Sequence, residues 1–174
     1  MSPVLEYLLS RTYTYTDLHR RLRLLQESLE EVIYDEPQQI RVVPIAERRQ
    51  KAIKEKTLEE SDAIVLNEME EKLWEIFTPK TVVSEVKGLM VASDKLPVMT
   101  LYVPVFFTEV QLAPISEWAR GQVEQNLLFE VLVDPKTVGG CAFVYKDTHF
   151  DWSLRRYLRA KRGMVTSLLN AYGD

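Results

Sequence analysis

A chain of 174 residues, 46% hydrophobic and 28% charged, has enough apolar material to bury a core as one domain or two small ones. Its formal net charge of -4 gives no overall attraction for nucleic acid, and the single cysteine, Cys141, excludes an intramolecular disulfide and a multi-cysteine metal site. No uninterrupted apolar run approaches the ~20 residues needed to cross a bilayer, and the opening MSPVLEYLLS lacks the basic flank and small-residue cleavage site of a secretory signal.

From the N-terminus, Thr16-Asp17 precedes Leu18, Leu22, Leu25, Leu29, Val32 and Ile33 at helical spacing, which predicts an amphipathic helix ending near Tyr34 to Pro37. Its arginines lie early and its glutamates late, against the helix macrodipole, so packing of the leucine stripe must supply its stability. Gln38 to Pro44 reads as a short extended piece. Ile45 to Lys56, with Pro44 at its first turn, offers only a thin apolar edge and reads as a solvated helix or a linker. Thr57 with Glu60 resembles a capping box that opens a helix through Phe77, with Ile64, Val65, Met69, Leu73, Ile76 and Phe77 as its buried face. Thr78-Pro79 breaks it, Thr81 to Ala92 reads as another short helix, and Ser93-Asp94-Lys95 reads as a domain boundary. The expected organisation is α+β, with a helical N-terminal domain over residues 1–95 and a small α/β domain over 96–174.

The second half opens with a strand, Met99 to Val105, which Pro104 should end or confine to a sheet edge. A helix follows from Val110 to Gln125, with Leu112, Ile115, Trp118, Ala119 and Val123 near one face. Leu127 to Val133 is a second strand, stopped by Asp134-Pro135. Gly139-Gly140 then frees the backbone where a side chain would be costly, and a third strand runs from Cys141 to Tyr145. Lys146-Asp147-Thr148 is a polar turn before a stub of strand at His149-Phe150, so the last three strands read as an antiparallel meander. Asp151 and Ser153 are cap candidates for a final helix whose apolar stripe is Leu154, Tyr157, Leu158, Val165, Leu168 and Leu169. Arg155, Arg156, Arg159, Lys161 and Arg162 lie away from that stripe.

No nucleophile and base combine in this pattern. The glycine pair opens a strand and lacks a phosphate-loop signature. His149 with Asp147 and Asp151 could be drawn as metal ligands, but only two histidines exist; Cys141 sits in an apolar setting that suits an inert core thiol. Glu59, Glu60, Asp62, Glu68, Glu70 and Glu71 read as the wet face of a helix, and His19 as solvated or interfacial. Neither an enzyme nor a bound cofactor is expected. The arginine cluster is either a solvated face or an electrostatic docking surface for an acidic partner.

Asp134, Val138-Gly139-Gly140 and then Phe150-Asp151-x-Ser153-Leu154 leading into an arginine-rich helix resemble the C-terminal signature of the delta subunit of F-type ATP synthases, the oligomycin-sensitivity-conferring subunit of mitochondria. The resemblance covers roughly Leu96 to Leu169. Two features depart from the family pattern: Trp152 stands where glycine is common, and the first 95 residues lack the alanine-rich opening helix. The resemblance implies a non-catalytic stator subunit, peripheral on the cytoplasmic face of the bacterial inner membrane or the mitochondrial matrix side, and touching the membrane only through its complex. Its helical half would bind the catalytic head at the alpha subunit N-terminus, and its C-terminal half the b-type stalk. By the same resemblance, Asp134, Gly139, Gly140, Asp151 and Ser153 shape the turn and the cap, while Arg155, Arg156 and Arg159 contact the stalk. Alternatives are a stator subunit of the vacuolar-type ATPase E or type III secretion kind, against which the breaks at Pro37, Pro44 and Pro79 argue, and a small-ligand-binding or regulatory α/β protein. A pocket lined by polar groups would favour the last.

Overall fold

Leu18, Leu22 and Leu25 are fully buried and Leu29 nearly so in a computed structural model of the chain, which describes residues 1–34, 44–137 and 139–171. Their helix, α2 (Tyr15–Tyr34), is the axis of the first of two units, Met1–Leu96 and Pro97–Asp174. The chain is α+β: a helical N-terminal region, then a four-stranded mixed sheet in the second half.

In the first unit α1 (Pro3–Ser10), α3 (Ile45–Lys56), α4 (Glu60–Asn67) and α6 (Val82–Ser93) all pack on α2. Each fully buried leucine of that contact contributes about 1.5–3 kcal/mol relative to exposure. The thin edge of α3 is thus no linker: Ala52 and Ile53 are buried, and Arg49 lies over the Trp74 ring at 4.2 Å while forking onto Glu71 at 3.2 and 2.6 Å. Small size made that edge look weak, yet an alanine lets two helices approach closely. The extended piece expected at Gln38 to Pro44 lies, but for Pro44, outside the described residues.

The capping box is absent. Thr57 closes α3, its N–H donating to Ile53 O at 3.0 Å, and its hydroxyl donates to Glu59 O at 2.9 Å instead of accepting from a helix N–H. Glu59 becomes the N-cap of α4. The helix expected to run through Phe77 stops at Asn67, and a single turn, α5 (Glu71–Trp74), follows. Val65, Met69, Leu73 and Phe77 are buried as expected, whereas Ile64 is half exposed.

Asp62 corrects the wet-face reading most sharply, because its carboxylate is fully buried. It accepts from Arg21 Nε at 2.9 Å and from Arg20 through Nε and Nη2, the latter at 3.1 Å. Arg21, also fully buried, donates further to Arg11 O at 2.7 Å and Thr12 Oγ1 at 2.8 Å. A charge this deep persists only when paired and hydrogen-bonded on most sides.

The second unit is built on β1 (Val98–Val103), which Pro104 ends, as one of the two sequence options allowed. Thr108 caps α7 (Glu109–Gln122) with a full capping box to Gln111. The helix buries Leu112, Ser116 and Ala119 but leaves Ile115 and Trp118 largely outside. β2 (Leu128–Val133) returns parallel to β1, in register Met99 to Phe129 and Leu101 to Val131. β3 (Ala142–Tyr145) and β4 (Thr148–Asp151) form a hairpin on the other edge of β1, giving the order β2-β1-β3-β4. The expected meander is therefore overturned: β3 pairs antiparallel with β1, not with β2. A helical crossover makes β1 and β2 parallel neighbours, and β3 takes the other edge of β1. Lys146 and Asp147 make the hairpin loop, both in the left-handed region at φ 46° and 60°, the conformation a two-residue hairpin favours. The final helix is two: α8 (Leu154–Ala160) and α9 (Arg162–Ala171). Among the described residues no helix is long and apolar enough to cross a membrane.

Candidate functional site

The candidate site is the stretch from Asp134 to α8, in which one turn, one glycine pair and one cap fix a short helix at the end of the sheet. Asp134 starts it. Its N–H donates to Val103 O at 2.9 Å, continuing the strand ladder, while Oδ1 accepts the Lys136 N–H at 2.9 Å and Oδ2 the Thr137 hydroxyl at 3.3 Å. The Thr137 N–H closes the turn on Asp134 O at 2.9 Å, with Pro135 at the position whose fixed φ suits it.

Gly139 and Gly140 both lie in the left-handed region, at φ 68° and 72°. Gly140 is also sterically required: a Cβ there would overlap the Trp152 carbonyl oxygen and come 3.2 Å from Ser153 Cα. The pair thus lets β3's approach pass directly against the entry to α8. Leu154 N–H donates to Gly139 O at 3.1 Å, and Trp152 N–H to Cys141 O at 2.9 Å, tying the two segments together.

Asp151 and Ser153 complete the join. The Ser153 N–H donates to Asp151 Oδ1 at 2.9 Å, and Ser153 Oγ accepts the Arg156 N–H at 3.3 Å as the N-cap of α8. Hydrogen bonds from the Ser153 side chain and backbone hold the Asp151 carboxyl below its ordinary pKa. Burial pushes the Cys141 thiol up, away from the thiolate a nucleophile needs.

The sequence puts Leu154, Tyr157 and Leu158 on one apolar stripe; the structure leaves them 45%, 61% and 42% exposed, and α8 buries no residue at all. The side chains of Val165, Leu168 and Leu169 lie outside the described residues. Trp152 is 66% exposed beside them. Arg155, Arg156 and Arg159 are exposed and, among the described residues, none forms a salt bridge; Arg156 donates only to the Asp151 carbonyl, at 3.0 Å. Arg155 and Arg159, four apart, share one helical face, and Arg156 lies on the face of Ser153, Tyr157 and Ala160. Arg155 also borders a cleft of about 410 Å³ with Lys136 and His149, whose carboxylates Asp134 and Asp151 are those already engaged in turn and cap.

The first unit carries a separate groove of about 720 Å³ along α2, lined by Leu24, Leu58 and Met90 together with polar and charged residues that include His19, Arg23, Glu27 and Lys56. Among the described residues no cluster of histidine, cysteine and carboxylates is placed to hold a metal ion. What the site offers is a rigidly mounted, cationic and aromatic surface. No family model matches the chain, and no curated protein is significantly similar to it.

Proposed function

We propose that this protein is a non-catalytic peripheral-stalk subunit of a rotary ATP synthase, of the delta kind, holding the catalytic head to the b-type stalk. The observation that carries the reading is α8: an entire helix without a buried side chain, mounted on the sheet by five residues of the signature and presenting three exposed arginines, none in a salt bridge among the described residues, beside exposed aromatics. Such a surface gains by being covered. The stalk would take α8, and the groove along α2, where Leu24, Leu58 and Met90 lie among polar and charged side chains, would take a helix from the head in the helix-in-groove manner. Static coupling requires complementary area and no reacting group.

The test is a native pull-down of the tagged protein from its own cells, with co-purifying chains identified by mass. Recovery of head and stalk subunits together is the expected result, and recovery of neither overturns the proposal. One observation favours a second reading, a small-ligand or regulatory protein: the 410 Å³ cleft is lined mainly by polar groups, including Tyr102, Lys136, His149 and Arg155. Its test is a rise in melting temperature with inorganic phosphate or a nucleotide; no rise with either removes it.

A further inference from the structure

Trp152 is held like a built anchor. Its backbone is pinned between Cys141 and the Gly140 approach, and its indole meets the Phe143 ring edge-on at 5.0 Å and 86°, with Phe143 stacked on Phe150 at 4.8 Å. One side of the indole is thereby fixed while two thirds of the residue stays open to solvent. Beyond it runs a groove of about 460 Å³ along one face of α8, bordered by Arg156 and Tyr157 and reaching the small side chain of Ala160. Aromatic residues and arginine dominate binding energy at interfaces because they cover large area with few rotors. A pre-positioned indole loses little further freedom when covered.

We infer that Trp152 and Tyr157 form a slot for one large apolar side chain of the stalk partner, and that the partner segment is an acidic amphipathic helix whose carboxylates meet Arg156. This rests on the stalk reading above and names the chemistry of its contact. Charge complementarity selects the occupant: Arg155, Arg156, Arg159, Lys161 and Arg162 crowd one short stretch of a chain whose net charge is -4, none of the five forms a salt bridge among the described residues, and Asp151, the groove's own carboxylate, whose charge Arg156 feels, is engaged by the Ser153 N–H.

The experiment measures binding of the full chain to the recombinant soluble portion of the b-type stalk subunit from the same cells. Trp152→Gly and, separately, Tyr157→Ser should each weaken binding about thirty-fold, the loss typical of an anchor. Arg156→Glu should weaken it about tenfold and flatten its salt dependence. Tyr157, outward on α8, provides a variant whose fold is preserved even if Trp152→Gly loosens the sheet; thermal melts monitor both. If wild type binds and both aromatic variants bind equally well, the slot is wrong and the stalk reading stands. If wild type itself does not bind, the stalk reading fails and the slot with it.

Discussion

The dipeptide Arg-Arg occurs three times, and the two units treat it differently. In the helical unit, Arg20 and Arg21 converge on the buried Asp62, and Arg49 forks onto Glu71 over Trp74 while Arg48 donates to Val32 O at 3.0 Å. In the sheet unit, Arg155 and Arg156 point outward with no salt bridge among the described residues. The same chemistry is structural in one place and available in the other. What separates Arg20, Arg21 and Arg49 from Arg155 and Arg156 is whether the fold brings a carboxylate into an ion pair with the guanidinium, and that is a property of tertiary packing.

Removing the carboxylate should break this contrast most forcefully. Asp62→Ala leaves Arg21 fully buried and uncompensated, so a loss of about 3–5 kcal/mol is expected by chemical denaturation. Glu59 touches Arg20 at 3.2 Å but is 58% exposed, and Glu59→Ala should change stability by less than about 0.5 kcal/mol. Equal effects of the two would show that the Asp62 cluster is not the buried keystone described.

The second expected effect lies at Gly140. Alanine there meets a left-handed backbone, a strain of about 1–3 kcal/mol, and its Cβ also displaces the Trp152–Ser153 segment. The melting of the sheet unit should fall and the near-ultraviolet signal of Trp152 should change. An unperturbed melt would mean that the Trp152–Ser153 backbone leaves room for a Cβ at Gly140.

Against these, Arg155→Glu with Arg159→Glu should leave stability within about 0.5 kcal/mol, since neither side chain has a salt-bridge partner to lose. Stalk affinity should nevertheless fall at least tenfold. An unchanged affinity would take the Arg155/Arg159 face out of the interface and confine contact to the groove beside Arg156.

These differences explain which parts of the molecule the sequence could reveal. Helices with a leucine stripe and turns with Asp-Pro or Gly-Gly were legible, because their signals are local: α2, the Asp134 turn and the Ser153 cap all depend on residues within a few positions. Strand order was not, because Leu127 to Val133 and Cys141 to Tyr145 would read alike whichever edge of β1 each joined. Asp62 was misread for the same reason: nothing near it in sequence announces that Arg20 and Arg21 arrive from 42 and 41 residues away. The apolar stripe on α8 has the periodicity of a core helix, and period alone cannot distinguish a face covered by its own chain from one left exposed. Trp152 gave no periodic signal, and only the Phe143 contact and the glycine pair reveal it as fixed.

The mildest test separates the mounting of α8 from its charge. Asp151 has its folded pKa depressed by the hydrogen bonds from Ser153. A depressed carboxyl contributes stability that is fully present above its unfolded value of about 3.9 and is lost as pH falls through the lower folded value. The cap should therefore be intact from pH 5 to 8, and the Ser153 amide shift should titrate only below about pH 4. Asp151→Asn keeps an oxygen for the Ser153 N–H but removes the proton, so it should preserve the cap and abolish that titration. A variant that retained the acid transition would assign it to a group other than Asp151. Loss of the cap in Asp151→Asn at neutral pH would instead show that the negative charge itself, beside Arg156, holds α8 against the sheet.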